Sequence, residues 1–364
     1  MKVEKLAVRD IRVRAVAAPM KRPLATSTTL VSEAALLLVD LHTDGGLVGR
    51  SYLFAPGRHH LPALAKLVEA MAVMVKGDPV APFDLEKKLR ARYSLLGVHN
   101  VVLFAIAAID MAAWDALAQA LGQPLVRVLG ALPKPVPAYN SKGLGIQKTK
   151  EVVREAAELV AEGFNAVKLR LGRADAREDL EVLRAVKKQI GASVRLMVDF
   201  NQALSVAEAG KRGRMIDAEG GVDWIEEPIR ADDYAGAAKL ARELATPIQL
   251  GENFMGPEQM AQAIAANACD FVMPDAERIG GVTGWMRAAA LAQGAGLEMS
   301  SHLFPEVSVH LLAATPTCHW LEYVDWADAI LAEPLVVKGG CLAPRDRPGI
   351  GMTWDEKAVK RYAL

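Results

Sequence analysis

The chain has 364 residues, of which 52% are hydrophobic and 24% are charged. This composition excludes a disordered or fibrous protein, and the length predicts either one large α/β barrel with an attached lid or two separate domains. The 43 basic and 43 acidic residues balance each other, and no basic run with interleaved aromatic residues occurs. We therefore expect neither nucleic acid nor an anionic membrane as a partner, but a small molecule.

The first part of the chain has the pattern of an α+β domain. Residues 2–54 alternate in the manner of strands, with a hairpin turn at residues 43–46. Three helical patterns follow, at residues 61–74, 82–93 and 101–121. Residues 19–32 are rich in Thr and Ser and contain two prolines. We expect a mobile loop there that is able to act as a lid.

The chain shows no sign of export or of membrane insertion. Residues 1–14 lack the apolar core of a secretory signal, and the apolar run at residues 101–109 is too short to cross a bilayer. We expect that run to be a buried helix. An odd number of scattered cysteines suits a reducing compartment, so we expect a cytoplasmic protein; they are Cys269, Cys318 and Cys341.

From residue 133 onward, short apolar runs alternate with helical patterns, which is typical of parallel βα units. An open doubly wound sheet is the alternative to a barrel, but no GxGxxG opens a helix after the first strand. This rhythm is lost near residue 334, so we predict boundaries that give parts 1–132, 133–333 and 334–364, the last returning to the N-terminal sheet. The sequence offers the eight strands that a barrel needs, ending near Ser141, Lys168, Asp199, Glu226, Glu252, Asp275, Ser301 and Glu322.

Ionisable side chains lie at the ends of six consecutive strand candidates. They are Lys168, Asp199, Glu226, Glu252, Asp275 and His302. The active groups of barrel enzymes project from the carboxyl ends of the strands, so we expect these six to converge on one mouth. Three of them, Asp199, Glu226 and Glu252, are carboxylates that repel one another unless a cation lies between them, and Mg²⁺ prefers such oxygen ligands. The alternative is that each acid is a solvated strand end or an ion-pair partner. Glu227 points to the opposite side of its strand and is left out of the metal site.

The remaining groups fit acid–base chemistry. Lys168 and Arg170 lie two residues apart and share one face of a strand. Asp275 can orient and charge His302, which makes a general acid/base pair. The alternatives are a salt-bridged lysine and a satisfied core histidine. We expect surface, packing or structural roles for the other histidines, which are His42, His59, His60, His99, His310 and His319.

A proton α to a carboxylate is too weakly acidic for a side-chain base acting alone. A divalent cation, a lysine and a protonated acid at the carboxylate oxygens would stabilise the enediolate more than the ground state. Glu322, at the end of the last strand candidate, is the candidate protonated acid. The alternative is a charged surface residue.

Motifs along nearly the whole chain resemble those of the enolase superfamily, and within it the mandelate racemase subgroup. They are IDMAAWDAL, MVDFNQ, WIEEP, GEN, MPDAERIGGVTGW, SSHLF and LLAATPTCHWLE. The resemblance implies an α/β fold: a modified (β/α)8 TIM-like barrel with an N-terminal α+β capping domain that the C-terminal segment completes. Relatives are commonly octamers, which implies a homo-oligomer.

The same resemblance implies residue roles. Asp199, Glu226 and Glu252 match the magnesium ligands, and Asp275 and His302 match a catalytic dyad. The electrophilic acid and the positions that contact substrate are matched by Glu322, Ser141, Lys168 and Asn201.

One position departs from the pattern of a two-base racemase. The racemase motif resembles KxK, whereas this chain has Lys168-Leu169-Arg170. Arginine is a poor base near neutral pH. A single-base route, in which His302 takes the α-proton and a β-hydroxyl leaves as water, needs no second base. The polar run Thr26-Ser27-Thr28-Thr29 favours a polar substrate over an aryl one.

Three hypotheses follow from the sequence. The first is a 2-hydroxy acid dehydratase that acts on a sugar acid. The second is a racemase or epimerase, which requires Arg170 to act as a base. The third is a catalytically silent barrel that binds an acidic ligand. The sequence does not identify the substrate, because the pocket depends on how residues 19–32, Tyr52 and Phe54 fold over the barrel mouth.

Overall fold

A computed structural model of the chain describes residues 6–27 and 29–364. The N-terminal part is a three-stranded antiparallel sheet in the order β1-β2-β3, followed by four helices. The strands are β1 Val8–Ala25, β2 Leu30–Thr43 and β3 Val48–Ala55. The helices are α1 Leu61–Val75, α2 Pro82–Arg92, α3 Val101–Ala120 and α4 Leu125–Val128. The predicted hairpin turn joins β2 to β3, and the three predicted helices match α1 to α3 within one or two residues.

Helix α3 is the buried helix that the sequence predicts. It is long and apolar enough to cross a membrane by length and composition, but 83% of its apolar stretch is buried inside the protein. Ser51 of β3 donates a hydrogen bond from Oγ to the carbonyl oxygen of Ala108 at 2.7 Å, so α3 lies directly on the sheet. Within the described residues this helix is therefore part of the core.

The expectation of a loop over residues 19–32 is wrong for most of that stretch. Strands β1 and β2 continue almost to the tip of the hairpin, and only residues 26–29 fall between them. The pairing shifts in register between Pro19 and Leu24. β1 is an edge strand, where proline is tolerated. At the tip, Ser27 donates from Oγ to the carbonyl oxygen of Phe200 at 3.0 Å. Thr28 and residues 1–5 lie outside the described residues.

The second part of the chain contains eight parallel strands in the order β10-β9-β8-β7-β6-β5-β4-β11. These strands are β4 Val136–Asn140, β5 Ala166–Arg170, β6 Arg195–Asp199, β7 Ile225–Glu226, β8 Ile248–Leu250, β9 Phe271–Val272, β10 Glu298–Met299 and β11 Leu321–Tyr323. The ring closes where Met299 and Ser301 donate backbone hydrogen bonds to the carbonyl oxygens of Thr317 and Trp320, at 2.8 and 3.0 Å. The barrel prediction is confirmed.

Helices connect successive strands of the barrel. They are α5 Thr149–Ala161, α6 Ala176–Ile190, α7 Val206–Glu219, α8 Tyr234–Glu243, α9 Pro257–Ala265, α10 Gly281–Ala295 and α11 Pro305–Ala314. Inside the barrel, Tyr139, Ala166, Met197 and Trp224 form a separate buried cluster. This layer fills the barrel below the strand ends, as layers of side chains do in (β/α)8 barrels.

The C-terminal segment contacts both other parts. Strand β12 Cys341–Leu342 pairs antiparallel with β4, and helix α12 Glu356–Tyr362 lies against β1. Trp354 donates from Nε1 to a carboxylate oxygen of Asp40 in β2 at 2.8 Å. The boundaries at residues 132 and 333 stay a prediction.

Candidate active site

The predicted site residues lie at the carboxyl ends of the barrel strands. Asp199 and Glu226 are the last residues of β6 and β7, Lys168 lies in β5, and Glu322 lies in β11. Glu252, Asp275 and His302 follow β8, β9 and β10 by two or three residues. Because the strands are parallel, all of these side chains are at one end of the barrel.

The structure brings the three candidate metal ligands together. Carboxylate oxygens of Asp199, Glu226 and Glu252 lie within 4.8 Å of one another. Burial and the neighbouring carboxylates outweigh the attraction of Lys168 and raise the pKa of Glu226 to about 8. The trio is therefore a concentration of oxygen donors and negative charge that a hard divalent cation would relieve, and its chemistry fits Mg²⁺.

Lys168 is the cation closest to this trio. Its ammonium lies against a carboxylate oxygen of Glu226, 2.8 Å from Glu322 Oε1 and 3.3 Å from Asp199 Oδ2. Burial lowers the pKa of Lys168, but the three carboxylates outweigh burial, so the net effect raises it. Lys168 is therefore charged and is not a base in this arrangement.

His302 and Asp275 form the predicted pair. His302 Nδ1 lies 2.7 Å from Asp275 Oδ2, and His302 Nε2 lies 3.3 Å from Glu252 Oε2. The other oxygen of Asp275 accepts hydrogen bonds from the backbone N–H groups of Glu277 and Arg278, at 2.7 and 3.1 Å. Burial lowers the pKa of His302, but Glu252, Glu322 and Asp275 together raise it to about 9. With Nδ1 held by Asp275, Nε2 is the nitrogen that faces the carboxylate trio.

Glu322, Ser141 and Arg170 form one buried hydrogen-bond network. The hydroxyl of Ser141 donates to Glu322 Oε1 at 2.6 Å and accepts from Arg170 Nη2 at 2.7 Å. The backbone N–H of Leu303 donates to the other carboxylate oxygen of Glu322 at 2.9 Å. Arg170 also donates from Nη1 to the carbonyl oxygens of Ser141 and Gly143, each at 2.8 Å.

The charge state of Glu322 depends on opposing effects of burial and of nearby cations. Burial alone would raise the pKa of its carboxyl group, but Lys168, His302 and Arg170 outweigh burial and lower it. Glu322 is therefore ionised in this arrangement, because three cations surround it. Its role as a protonated acid stays a prediction for the substrate complex.

Asn201 and Glu227 flank the trio. Asn201 donates from its backbone N–H and from Nδ2 to the two oxygens of Asp199, at 2.8 and 3.0 Å, and its own buried Oδ1 has no partner within the described residues. An acceptor left free beside the trio suits the predicted contact with substrate. Glu227 instead accepts from Gly251 N–H at 3.2 Å and lies outside the trio.

Two buried carboxyl side chains near the dyad are absent from the sequence prediction. Glu277 accepts a hydrogen bond from the backbone N–H of Phe54, and Glu306 accepts one from the hydroxyl of Tyr52. Both partners lie more than 200 residues earlier in the chain, so strand-end reasoning could not find them. The available signal was a pair of acidic residues within otherwise buried runs after Asp275 and His302.

The sequence matches two families of domains. Residues 8–130 match the mandelate racemase / muconate lactonizing enzyme N-terminal domain, and residues 151–358 match the enolase C-terminal domain-like family. L-talarate/galactarate dehydratase from Salmonella typhimurium is 33% identical over 93% of this chain and 87% of that protein.

Two solved structures are also similar. An enolase from alpha proteobacterium bal199 with bound Mg has 43% identity and a TM-score of 0.96, over 99% of this chain and 100% of that chain. An enolase from Bradyrhizobium complexed with magnesium and mandelic acid has 40% identity and a TM-score of 0.94, over 99% of both chains. The chain belongs to the mandelate racemase / muconate lactonizing enzyme family of the enolase superfamily.

Proposed function

We propose that this protein is a magnesium-dependent lyase that removes the α-proton of a 2-hydroxycarboxylate and completes the reaction as dehydration of a sugar acid to a 2-keto acid. The observation that carries this proposal is the state of Arg170. Its guanidinium donates three hydrogen bonds to Ser141 and Gly143. A guanidinium held in this way cannot act as a second base, whereas the Asp275–His302 pair is complete.

Asp199, Glu226 and Glu252 would hold Mg²⁺, since their oxygens lie within 4.8 Å of one another. When bound there, the ion would supply Lewis-acid stabilisation of negative charge on the substrate carboxylate. The structures from alpha proteobacterium bal199 and Bradyrhizobium, which contain magnesium, support this assignment.

The chain's own residues perform the proton transfers. Asp275 orients His302 through Nδ1, so Nε2, once it has released its own proton, takes the proton from C2 of the substrate. The same nitrogen then returns that proton to the hydroxyl on C3, which leaves as water. The enol that remains tautomerises to a 2-keto acid. Lys168 would supply a fixed positive charge to the substrate carboxylate, and Glu322, once protonated, would donate a hydrogen bond to it.

Racemisation of a 2-hydroxy acid is the second candidate. It is favoured by the Bradyrhizobium structure, which contains mandelic acid, a 2-hydroxy acid that has no β-hydroxyl to lose. The dehydratase from Salmonella typhimurium supports the first candidate instead. A silent acid-binding barrel is the non-enzyme alternative, and the retention of every proposed ligand and of the dyad argues against it.

A screen of acid sugars with Mg²⁺ for 2-keto product tests the proposal. We expect product from at least one acid with wild type and none with His302→Asn. Deuterium exchange from both enantiomers of a 2-hydroxy acid would favour racemisation, while exchange from one enantiomer supports a single base. Absence of both turnover and Mg²⁺ or substrate-analogue binding would favour the silent barrel.

We also propose a cytoplasmic homo-oligomer, with the octamer of relatives as the expected form. The three cysteines are free, which suits a reducing compartment. Sedimentation of the purified full chain tests the assembly. A single species with the mass of one chain would contradict it.

A further inference from the structure

Strand β3 ends against the two loops that carry the dyad. Ser51 faces α3, so the alternation of a strand turns Tyr52 and Phe54 toward the barrel. The Tyr52 ring lies 5.0 Å from the Phe304 ring, and the Phe54 ring lies 4.7 Å from the Trp326 ring. One short piece of the N-terminal sheet therefore touches both the His302 loop and the loop that follows β11.

Glu277 joins β3 to the Asp275 loop. Its carboxyl group accepts the backbone N–H of Phe54 at 2.8 Å, and its own backbone N–H donates to Asp275 Oδ1 at 2.7 Å. Asp275 Oδ2 in turn lies 2.7 Å from His302 Nδ1. Three consecutive hydrogen bonds thus lead from β3 to the imidazole.

Glu306 joins β3 to the loop that follows His302. It lies in the first turn of α11 and accepts the hydroxyl of Tyr52 at 2.6 Å. Between His302 and Glu306, the residues Leu303 and Phe304 have positive φ angles of 47° and 48°. Two consecutive non-glycine residues in the left-handed region are strained, and the surrounding structure must hold them there.

Both carboxyl groups are buried, which makes their ionised forms unfavourable. Burial and Asp275 raise the pKa of Glu277 to about 8, and burial raises the pKa of Glu306 to about 7. Within the described residues neither forms a salt bridge with a cation inside 4.0 Å. A buried glutamate is seldom left without such a partner.

We infer that Glu277 and Glu306 are positioning residues, which fasten the Asp275 and His302 loops to β3 and so fix the geometry of the dyad. The inference rests on the proposed function in taking His302 as the base. Neither residue contacts substrate on this view. Each acts through the loop that it holds.

The test compares variants of the full chain loaded with Mg²⁺. The first readout is the low-field proton resonance of His302 Nδ1–H, assigned by its loss in His302→Asn. The second is kcat and KM on a sugar acid found in the screen. We expect Glu277→Ala to shift or broaden the resonance and to lower kcat about 10- to 100-fold, with KM nearly unchanged, since small misplacements of catalytic groups have effects of this size.

Two conservative variants separate positioning from folding. Glu277→Gln keeps an oxygen that accepts the Phe54 N–H, so we expect it to retain the resonance and most of kcat. Tyr52→Phe keeps the contact with Phe304 but loses the donor to Glu306, so we expect a smaller loss of kcat than in Glu277→Ala.

Asp115→Ala is the matched control. Asp115 in α3 is buried and accepts the backbone N–H of Arg50 in β3 at 2.8 Å, away from the dyad. It should lower stability and leave the resonance unchanged. The inference is overturned if Glu277→Ala and Tyr52→Phe keep the wild-type resonance and kcat, or if Asp115→Ala moves the resonance equally. The resonance needs no substrate, so a screen without turnover would count against the proposed function alone.

Discussion

At the level of single residues, the site is held together by charges that are buried and shared. Lys168 contacts three carboxylates, and one of these, Glu322, is in turn bound by Ser141 and by the backbone of Leu303. In such a network the removal of one member leaves its partners buried and unsatisfied. The loss then exceeds the net value of a single hydrogen bond.

Replacing Ser141 by alanine tests this network. The substitution leaves one oxygen of Glu322 without its Ser141 donor and Arg170 Nη2 without its acceptor. We expect kcat/KM to fall about 10- to 100-fold, since an unsatisfied buried group costs about 1–3 kcal/mol. Ser51→Ala is the control, because it also removes a buried hydroxyl but lies in β3 against α3. Equal activity in both variants would contradict the prediction.

Glu226 provides a test of the metal site that needs no substrate. A ligand that binds only the folded state stabilises it, by about 2.7 kcal/mol at one hundred times Kd. We expect Mg²⁺ to raise the Tm of wild type and to raise that of Glu226→Gln much less, because one of three clustered carboxylates is lost. Thermal unfolding across a Mg²⁺ titration measures both. The same rise in Tm in the two proteins would mean that the ion binds elsewhere.

At the level of elements, the sequence predicted what depends on local pattern. The trio of acids was found because each ends an apolar strand, and parallel strands bring their carboxyl ends together. The prediction of a loop at residues 19–32 is wrong for most of that stretch. Pro19 and Pro23 indicate a loop, yet an edge strand tolerates proline. The Arg170–Ser141 contact joins adjacent strands β4 and β5 and was not foreseen, because side-chain direction at a strand end is set by the packing around it.

The contact between β3 and α3 gives a test at this level. A Cβ atom added at Gly49 would lie 1.9 Å from the carbonyl oxygen of Ala112 in α3. We expect Gly49→Ala to destabilise the protein by about 1–3 kcal/mol or more, because backbone must move. Gly294 in α10 has open space around the added atom, so Gly294→Ala should stabilise by about 0.5–1 kcal/mol. Urea unfolding measures the free energy of unfolding of both variants. If Gly49→Ala leaves that free energy unchanged, α3 and β3 lie farther apart than described.

At the level of the whole molecule, the C-terminal segment is bound by contacts that no local pattern could predict. Asp115 in α3 accepts the backbone N–H of Ile350 and that of Arg50. His310 in α11 joins the same segment to α4. Its Nδ1 accepts the Val126 N–H at 3.3 Å, and its Nε2–H donates to the carbonyl oxygen of Ile350 at 3.1 Å. The sequence predicted a structural role for His310, but the partners lie 184 and 40 residues away.

His310 should make this assembly sensitive to acid. One ring nitrogen must accept and the other must donate, so only the neutral ring fits, and burial lowers the pKa of His310 to about 4. The unfolded chain has an ordinary histidine pKa of about 6.5, so it binds more protons between these values. The contribution of the neutral ring is therefore complete above about pH 6.5 and is lost as pH falls toward about 4.

The expected size of this pH effect follows from the pKa values of His310 in the folded and the unfolded chain. Relative to His310→Gln, which keeps one donor and one acceptor but does not titrate, the free energy of unfolding of wild type should fall by about 2 kcal/mol between about pH 7 and pH 5. Urea unfolding at a series of pH values measures this difference directly. His99 is exposed, so His99→Gln should follow wild type throughout. A difference between wild type and His310→Gln that does not change with pH would mean that the ring is protonated, and that Ile350 and Val126 are not bound as described.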